Sequence, residues 1–126
     1  MPANIQLVRK IALSLPEVEE GSCFGTTAFY VRRKLMLRLK EDGETLVVKY
    51  PKEKREELID GNPDVFSVTD HYQNYPAVLV NLLAVSEKVL GSMIEGAWRM
   101  RAPRPLISAF DATEKKKPNK TPEPTA

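Results

Sequence analysis

The residues with the most chemistry in them are few: one histidine, His71, and one cysteine, Cys23. A Cys23–His71 pair would be the minimum for thiol catalysis, the imidazole drawing the proton from the sulfur. Neither residue sits in a nucleophile motif. Asp70-His71-Tyr72 reads as a turn with a hydrogen-bonded histidine, and Cys23, followed by Phe24, as a buried thiol. One His and one Cys do not make a zinc site without several carboxylates. The densest acidic cluster, Glu17, Glu19 and Glu20, could divide acid and base roles only if burial separated its members. It lies in a polar stretch and reads as a solvated cluster. The six glycines form neither a phosphate-binding loop nor a dinucleotide fingerprint. No catalytic residue, metal or cofactor is expected.

Cationic side chains are the remaining candidates. Tyr30, Arg32, Arg38, Lys40 and Lys49 fall at alternating positions that would share the solvent face of a sheet, and Arg33-Lys34 would sit at a hairpin tip. Guanidinium and ammonium groups on such a face suit phosphates, with Tyr30 available to stack on a base. A solvated sheet face also carries charges simply to stay soluble and unpaired. The chain as a whole is not a polycation. Its net charge of +2 comes from the last residues, because positions 1–112 hold 15 basic and 15 acidic side chains. Binding of nucleic acid therefore requires a local patch, to which the tail lysines 115–117 and 120 would add a salt-sensitive attraction.

The elements that would hold these residues follow from periodicity. Ile5, Val8, Ile11, Ala12 and Leu15 form the stripe of an amphipathic helix, capped by Asn4 and stopped by Pro16. Three strands follow, around 27–32, 35–40 and 44–50, alternating apolar and polar, with Glu41-Asp42-Gly43 as a turn. A mostly solvated helix runs from Pro51 to Gly61. Short strands at 65–69 and 77–83 flank the aromatic loop Tyr72–Tyr75. A last helix, capped by Ser86, carries Leu90, Met93, Ala97 and Met100 inward and Trp98 as a lid over the core. Gly91 and Gly96 inside it predict a close helix–sheet approach. Pro103 and Pro105 are expected to end it, and residues 108–126 to be a disordered Lys/Pro-rich tail. No apolar run approaches the length of a membrane span. The start of the chain lacks a basic-then-apolar leader, and with a single cysteine this points to the cytoplasm.

Several fragments, in this order, resemble the MmcQ/YjbR family of small bacterial proteins over roughly residues 3–107. They are Leu13-Ser14-Leu15-Pro16-Glu17-Val18-Glu19-Glu20, Phe24-Gly25-Thr26-Thr27-Ala28-Phe29, Pro63-Asp64-Val65-Phe66, His71-Tyr72 with Tyr75-Pro76, and Gly96-Ala97-Trp98-Arg99. The resemblance implies an α+β fold with a sheet backed by helices, similar to secretion-chaperone-like folds. It also implies a DNA-binding label that rests on a winged arrangement of hairpins, and it carries no catalytic residues. The expectation is a two-layer α+β domain at residues 1–107, in the order α-β-β-β-α-β-β-α, acting as a non-enzymatic binding protein. DNA, bound without sequence preference by Arg32, Arg33, Lys34, Arg38 and Lys49, is the first partner. The alternative is a protein-interaction module, chaperone-like or self-associating, using the Tyr72–Tyr75 loop and the sheet edge.

Overall fold

The structure, a computed structural model, describes residues 3–116; the side chains of His71 and of 114–116, like residues 117–126, lie outside the described residues. Helix α1 (Ile5–Leu13) begins at Asn4, whose Oδ1 accepts the N–H of Leu7 at 3.1 Å. Four strands follow: β1 (Val18–Cys23), β2 (Thr26–Val31), β3 (Lys34–Leu39) and β4 (Thr45–Lys49). Next come α2 (Arg55–Gly61), the short β5 (Phe66–Ser67) and β6 (Ala77–Asn81). Helix α3 (Glu87–Arg101) is capped by Ser86, whose Oγ accepts from the N–H of Val89, and α4 (Arg104–Lys116) closes the fold.

All strand pairs are antiparallel, in one six-stranded sheet of order β1-β2-β3-β4-β6-β5. Alternation decides the faces. Phe29, Val31, Leu37, Leu46, Val48, Val78 and Val80 point to one side, where Val8 and Ala12 of α1 and Leu90, Ile94 and Ala97 of α3 close the main core. Leu58 and Ile59 of α2 and Leu106, Ile107 and Phe110 of α4 pack at its margin. A register shift between Phe29 and Tyr30 inserts an extra residue opposite, which lets both Met36 and Leu37 reach that core. Trp98 is fully buried there, its Nε1–H donating to the carbonyl of Pro16 at 3.0 Å, with Phe110 edge-on at 5.0 Å. It is a pillar of the core.

The α+β architecture matches the sequence reading, with four differences. The acidic stretch after Pro16 is a strand, β1, because its backbone pairs with β2 from Val18 opposite Val31 to Cys23 opposite Thr26. The β2–β3 turn is Arg32-Arg33, both left-handed at φ 50° and 70°, so Lys34 already belongs to β3. Residues 108–116, expected in the tail, continue α4. Pro105 lies in its first turn, where a missing N–H costs nothing, and Phe110 gives the helix an apolar anchor. Finally, an added Cβ at Gly91 or Gly96 would meet no atom within 4 Å, so close packing does not explain either glycine.

Candidate nucleic-acid interface

On the face of the sheet away from the main core, alternation brings together Gly21 and Cys23 of β1, Ala28 and Tyr30 of β2, Arg38 and then Lys40 along β3, Val47 and Lys49 of β4, and Ala77 and Leu79 of β6. Val47, Ala77 and Leu79 form a small second core here, with Tyr72 laid against it. This patch explains the fate of Arg38. Its stem crosses apolar neighbours, and the residue is 5% exposed, its guanidinium donating to the carbonyl of Cys23 at 3.3 Å, the hydroxyl of Tyr72 at 3.1 Å and the Glu41 carboxylate at 2.6 Å. The expectation of a solvated Arg38 is corrected accordingly: it is a clamped, charge-paired anchor. The sequence placed it on the right face but could not foresee the cover supplied by Tyr72.

Tyr30 is corrected in the same way. Its hydroxyl donates to the carbonyl of Ser22 at 2.7 Å, and its ring lies across Gly21, where an added Cβ would come within 3.3 Å. A Cβ there would push the ring aside by a few tenths of an ångström. Desolvation first, and then the Cys23 sulfur, push the phenol's pKa up. The ring is committed to β1 and does not stand free to stack.

Lys49 shares the face and is half-buried; loss of water around it, followed by the nearby Arg101 guanidinium, lowers its pKa. Arg101 is fixed by its Nε–H on the carbonyl of Leu35 at 3.1 Å. Arg32, at the far end of the hairpin, forks onto Glu17, which raises the guanidinium's pKa and lowers that of the carboxyl. Arg33 and Lys34 are exposed beside it, with no carboxylate of the described residues within 4 Å. Of the five residues singled out, the structure brings Arg38 and Lys49 onto one face and gathers Arg32, Arg33 and Lys34 at the turn below it. One solvated surface containing all five does not exist, because Arg32 and Arg38 are each bound to a carboxylate. The glutamate trio is also dispersed: Glu17 serves Arg32, and Glu20, on the helix side of β1, takes both forks of Arg9 at 2.8 and 2.9 Å.

Two positions beside this face escaped the sequence reading. Phe24 heads the two-residue turn between β1 and β2, with φ 53°, and is 83% exposed. The Arg38 guanidinium lies 5.1 Å from its ring centre. Phe24, Arg38, Lys40, Glu41 and Tyr72 line a cleft of about 440 Å³. Lys40, which alternation had already placed on this face, lines the same cleft. The second is Arg55, 5% exposed, whose Nη1 donates to the carbonyls of Tyr72 at 3.2 Å, Tyr75 at 2.7 Å and Ala77 at 2.8 Å, while Nη2 reaches that of Gln73. It holds the loop that delivers Tyr72 to Arg38. Tyr72 and Tyr75 meet edge-on at 6.0 Å. The sequence carried a signal for Phe24, an aromatic directly before Gly25 at a strand junction; Arg55 was hidden in a run of charges.

Among the described residues no three His, Cys, Asp or Glu side chains cluster to hold a metal, and no helix is long and apolar enough to cross a membrane. A sheet with helices on one face and a partly open second face defines a two-layer α+β class. The chain belongs to the YjbR family, whose family model matches residues 13–100. It is 43% identical over 53 residues to the uncharacterised protein Rv2570 of Mycobacterium tuberculosis and, equally, to the uncharacterised protein Mb2600 of Mycobacterium bovis. Those alignments span 42% of this chain and 41% of each relative. The crystal structure of Deinococcus radiodurans protein DR2400, a domain of the DUF419 type, superposes with a TM-score of 0.67 at 22% identity, covering 78% of either chain.

Proposed function

We propose that this chain is a non-enzymatic binding protein whose partner is DNA, held without sequence selection on the open face of the sheet. The observation that carries the reading is the one-sidedness of the fold: the helices pack on the main-core face, and the other face presents Lys40 and Lys49 around the Arg38 anchor, with Arg33 at the turn beyond. A strand of this length spans about 20 Å, enough for a few successive phosphates of one backbone. Arg38 and Tyr72 hold the surface rigid, while the lysines supply the contacts.

Anisotropy of a labelled DNA fragment over a potassium chloride series tests this. Contacts from Arg33, Lys40 and Lys49 correspond to a log–log slope of about −3 on a duplex. A Lys40→Ala/Lys49→Ala variant should flatten the slope by between one and two. An affinity indifferent to salt would refute the reading.

One observation favours a second reading, docking of a protein at the sheet edge. Strand β1 pairs only with β2, and Glu19 to Ser22 are exposed. Such an edge can accept an added strand, and Tyr75, half-exposed on the loop before β6, offers an apolar contact elsewhere on the same molecule. That mode predicts weak salt dependence and sensitivity to Tyr75→Ala.

A further inference from the structure

Phe24 is a large apolar side chain that folding does not use. At 83% exposure it has the most solvent-open ring of the described residues. It also occupies a left-handed conformation at φ 53°, where glycine or asparagine is the unstrained choice in a two-residue hairpin turn. A residue that is both strained and unburied is kept for something other than stability. Its surroundings indicate what. One side of the ring is backed by the Arg38 guanidinium at 5.1 Å, itself immobilised by the carbonyl of Cys23, the hydroxyl of Tyr72 and the carboxylate of Glu41. The rest of the ring is open, and Lys40, with no carboxylate of the described residues within 4 Å, borders the same cleft of about 440 Å³.

We infer that Phe24 is a stacking shelf for an unpaired base of single-stranded DNA, with the adjoining phosphate held by Lys40. This rests on the DNA reading above and narrows it. A flat ring beside a cation fits a base and its phosphate, and stacking is indifferent to base identity because every base offers a π-face. In a duplex those faces are occupied by neighbouring bases, so the shelf selects the single strand. The role expected of Tyr30 thus falls to Phe24.

The test compares a labelled oligothymidylate of about ten nucleotides, within the span of one small domain, with a duplex of the same length, using the full chain. The single strand should bind more tightly. Phe24→Ala should weaken it about tenfold and leave the duplex unchanged, whereas Phe24→Trp should retain it. Neither variant should lower the thermal midpoint, because the ring is not part of a core. If the wild type binds the oligomer but Phe24→Ala binds it equally well, the shelf is overturned and the phosphate reading stands. If the wild type binds neither DNA at low salt, both fail together. Phe24-dependent self-association in sedimentation, without DNA binding, would likewise overturn it and assign the ring to a protein contact.

Discussion

Removing the Arg55 side chain while keeping its bulk, as in Arg55→Met, should cost far more than a surface charge would. Arg55 is 5% exposed and spends its Nη atoms on the backbone carbonyls of Tyr72, Gln73, Tyr75 and Ala77. Tyr72, Gln73 and Tyr75 lie between β5 and β6 and Ala77 opens β6; the carbonyls of Tyr72 and Tyr75 also accept the N–H groups of Tyr75 and Ala77, so Arg55 ties together a loop that otherwise has few bonds to the sheet. Hydrogen bonds from a charged donor contribute ~1.5–3 kcal/mol each. Two effects reduce the total: the variant no longer desolvates a guanidinium, and the loop can open to water. The net loss is about 3 kcal/mol, a large share of the ~5–15 kcal/mol that holds a domain of this size. Arg55→Lys, with one ammonium in place of a planar fork, should recover less than half of it.

Urea unfolding followed by the emission of Trp98, the sole tryptophan, measures the free energy. Amide exchange reports the place. The N–H groups of Tyr72, Tyr75 and Ala77, which donate to Thr69, Tyr72 and Tyr75, should exchange much faster in Arg55→Met, while those of β3 and β4 should speed up only as far as global stability falls. An unfolding free energy within about 0.5 kcal/mol of wild type, the scatter of ordinary surface substitutions, would refute the reasoning. So would unchanged exchange in the loop.

Other outcomes follow from the same contacts. Gly91→Ala and Gly96→Ala should each stabilise the protein by roughly 0.5–1 kcal/mol, because helix propensity favours alanine and no atom obstructs the added Cβ; a lower urea midpoint in either would contradict this. Trp98→Phe should cost about 2–3 kcal/mol, from lost volume and an unpaired Pro16 carbonyl, read by thermal unfolding. Stability should also fall on the acid side. Asp42 is held below its usual pKa by the backbone N–H of Glu44 and then by the Thr45 hydroxyl, and Glu20 by Arg9. Carboxyls depressed in the fold take up protons more readily when unfolded. Their contribution is therefore complete above the unfolded values near ~4 and disappears as pH drops through the folded ones. Denaturation midpoints should be level between about pH 5 and 7 and decline below about 4, and Asp42→Asn should shallow that decline.

Much of this architecture was legible because its helices and central strands are strongly periodic. The caps at Asn4 and Ser86 and the Asp42-Gly43 turn announce themselves locally. Strand β1 did not, since an edge strand exposed over Glu19–Ser22 has no apolar alternation and exists only through its pairing with β2. Helix α4 was masked by Pro103 and Pro105, which read as terminators although one lies in a helical first turn. At the site, alternation put Arg38 and Lys49 on the correct face. Burial of Arg38 depends on Tyr72, delivered by a distant loop that Arg55 ties down, and no short-range pattern encodes such a contact. Arg32 looked free because Glu17 reaches it only across the β1–β2 pair.

The central claim, that the open face of the sheet receives DNA, is tested most directly by titrating a ¹⁵N-labelled sample with oligothymidylate and following amide and side-chain shifts. DNA on that face should perturb a contiguous set of signals at Phe24, Arg38, Lys40 and Lys49 and leave the amides of α1 and α3 unmoved. Shifts confined to β1 and the helices, or no shifts at low salt, would contradict it.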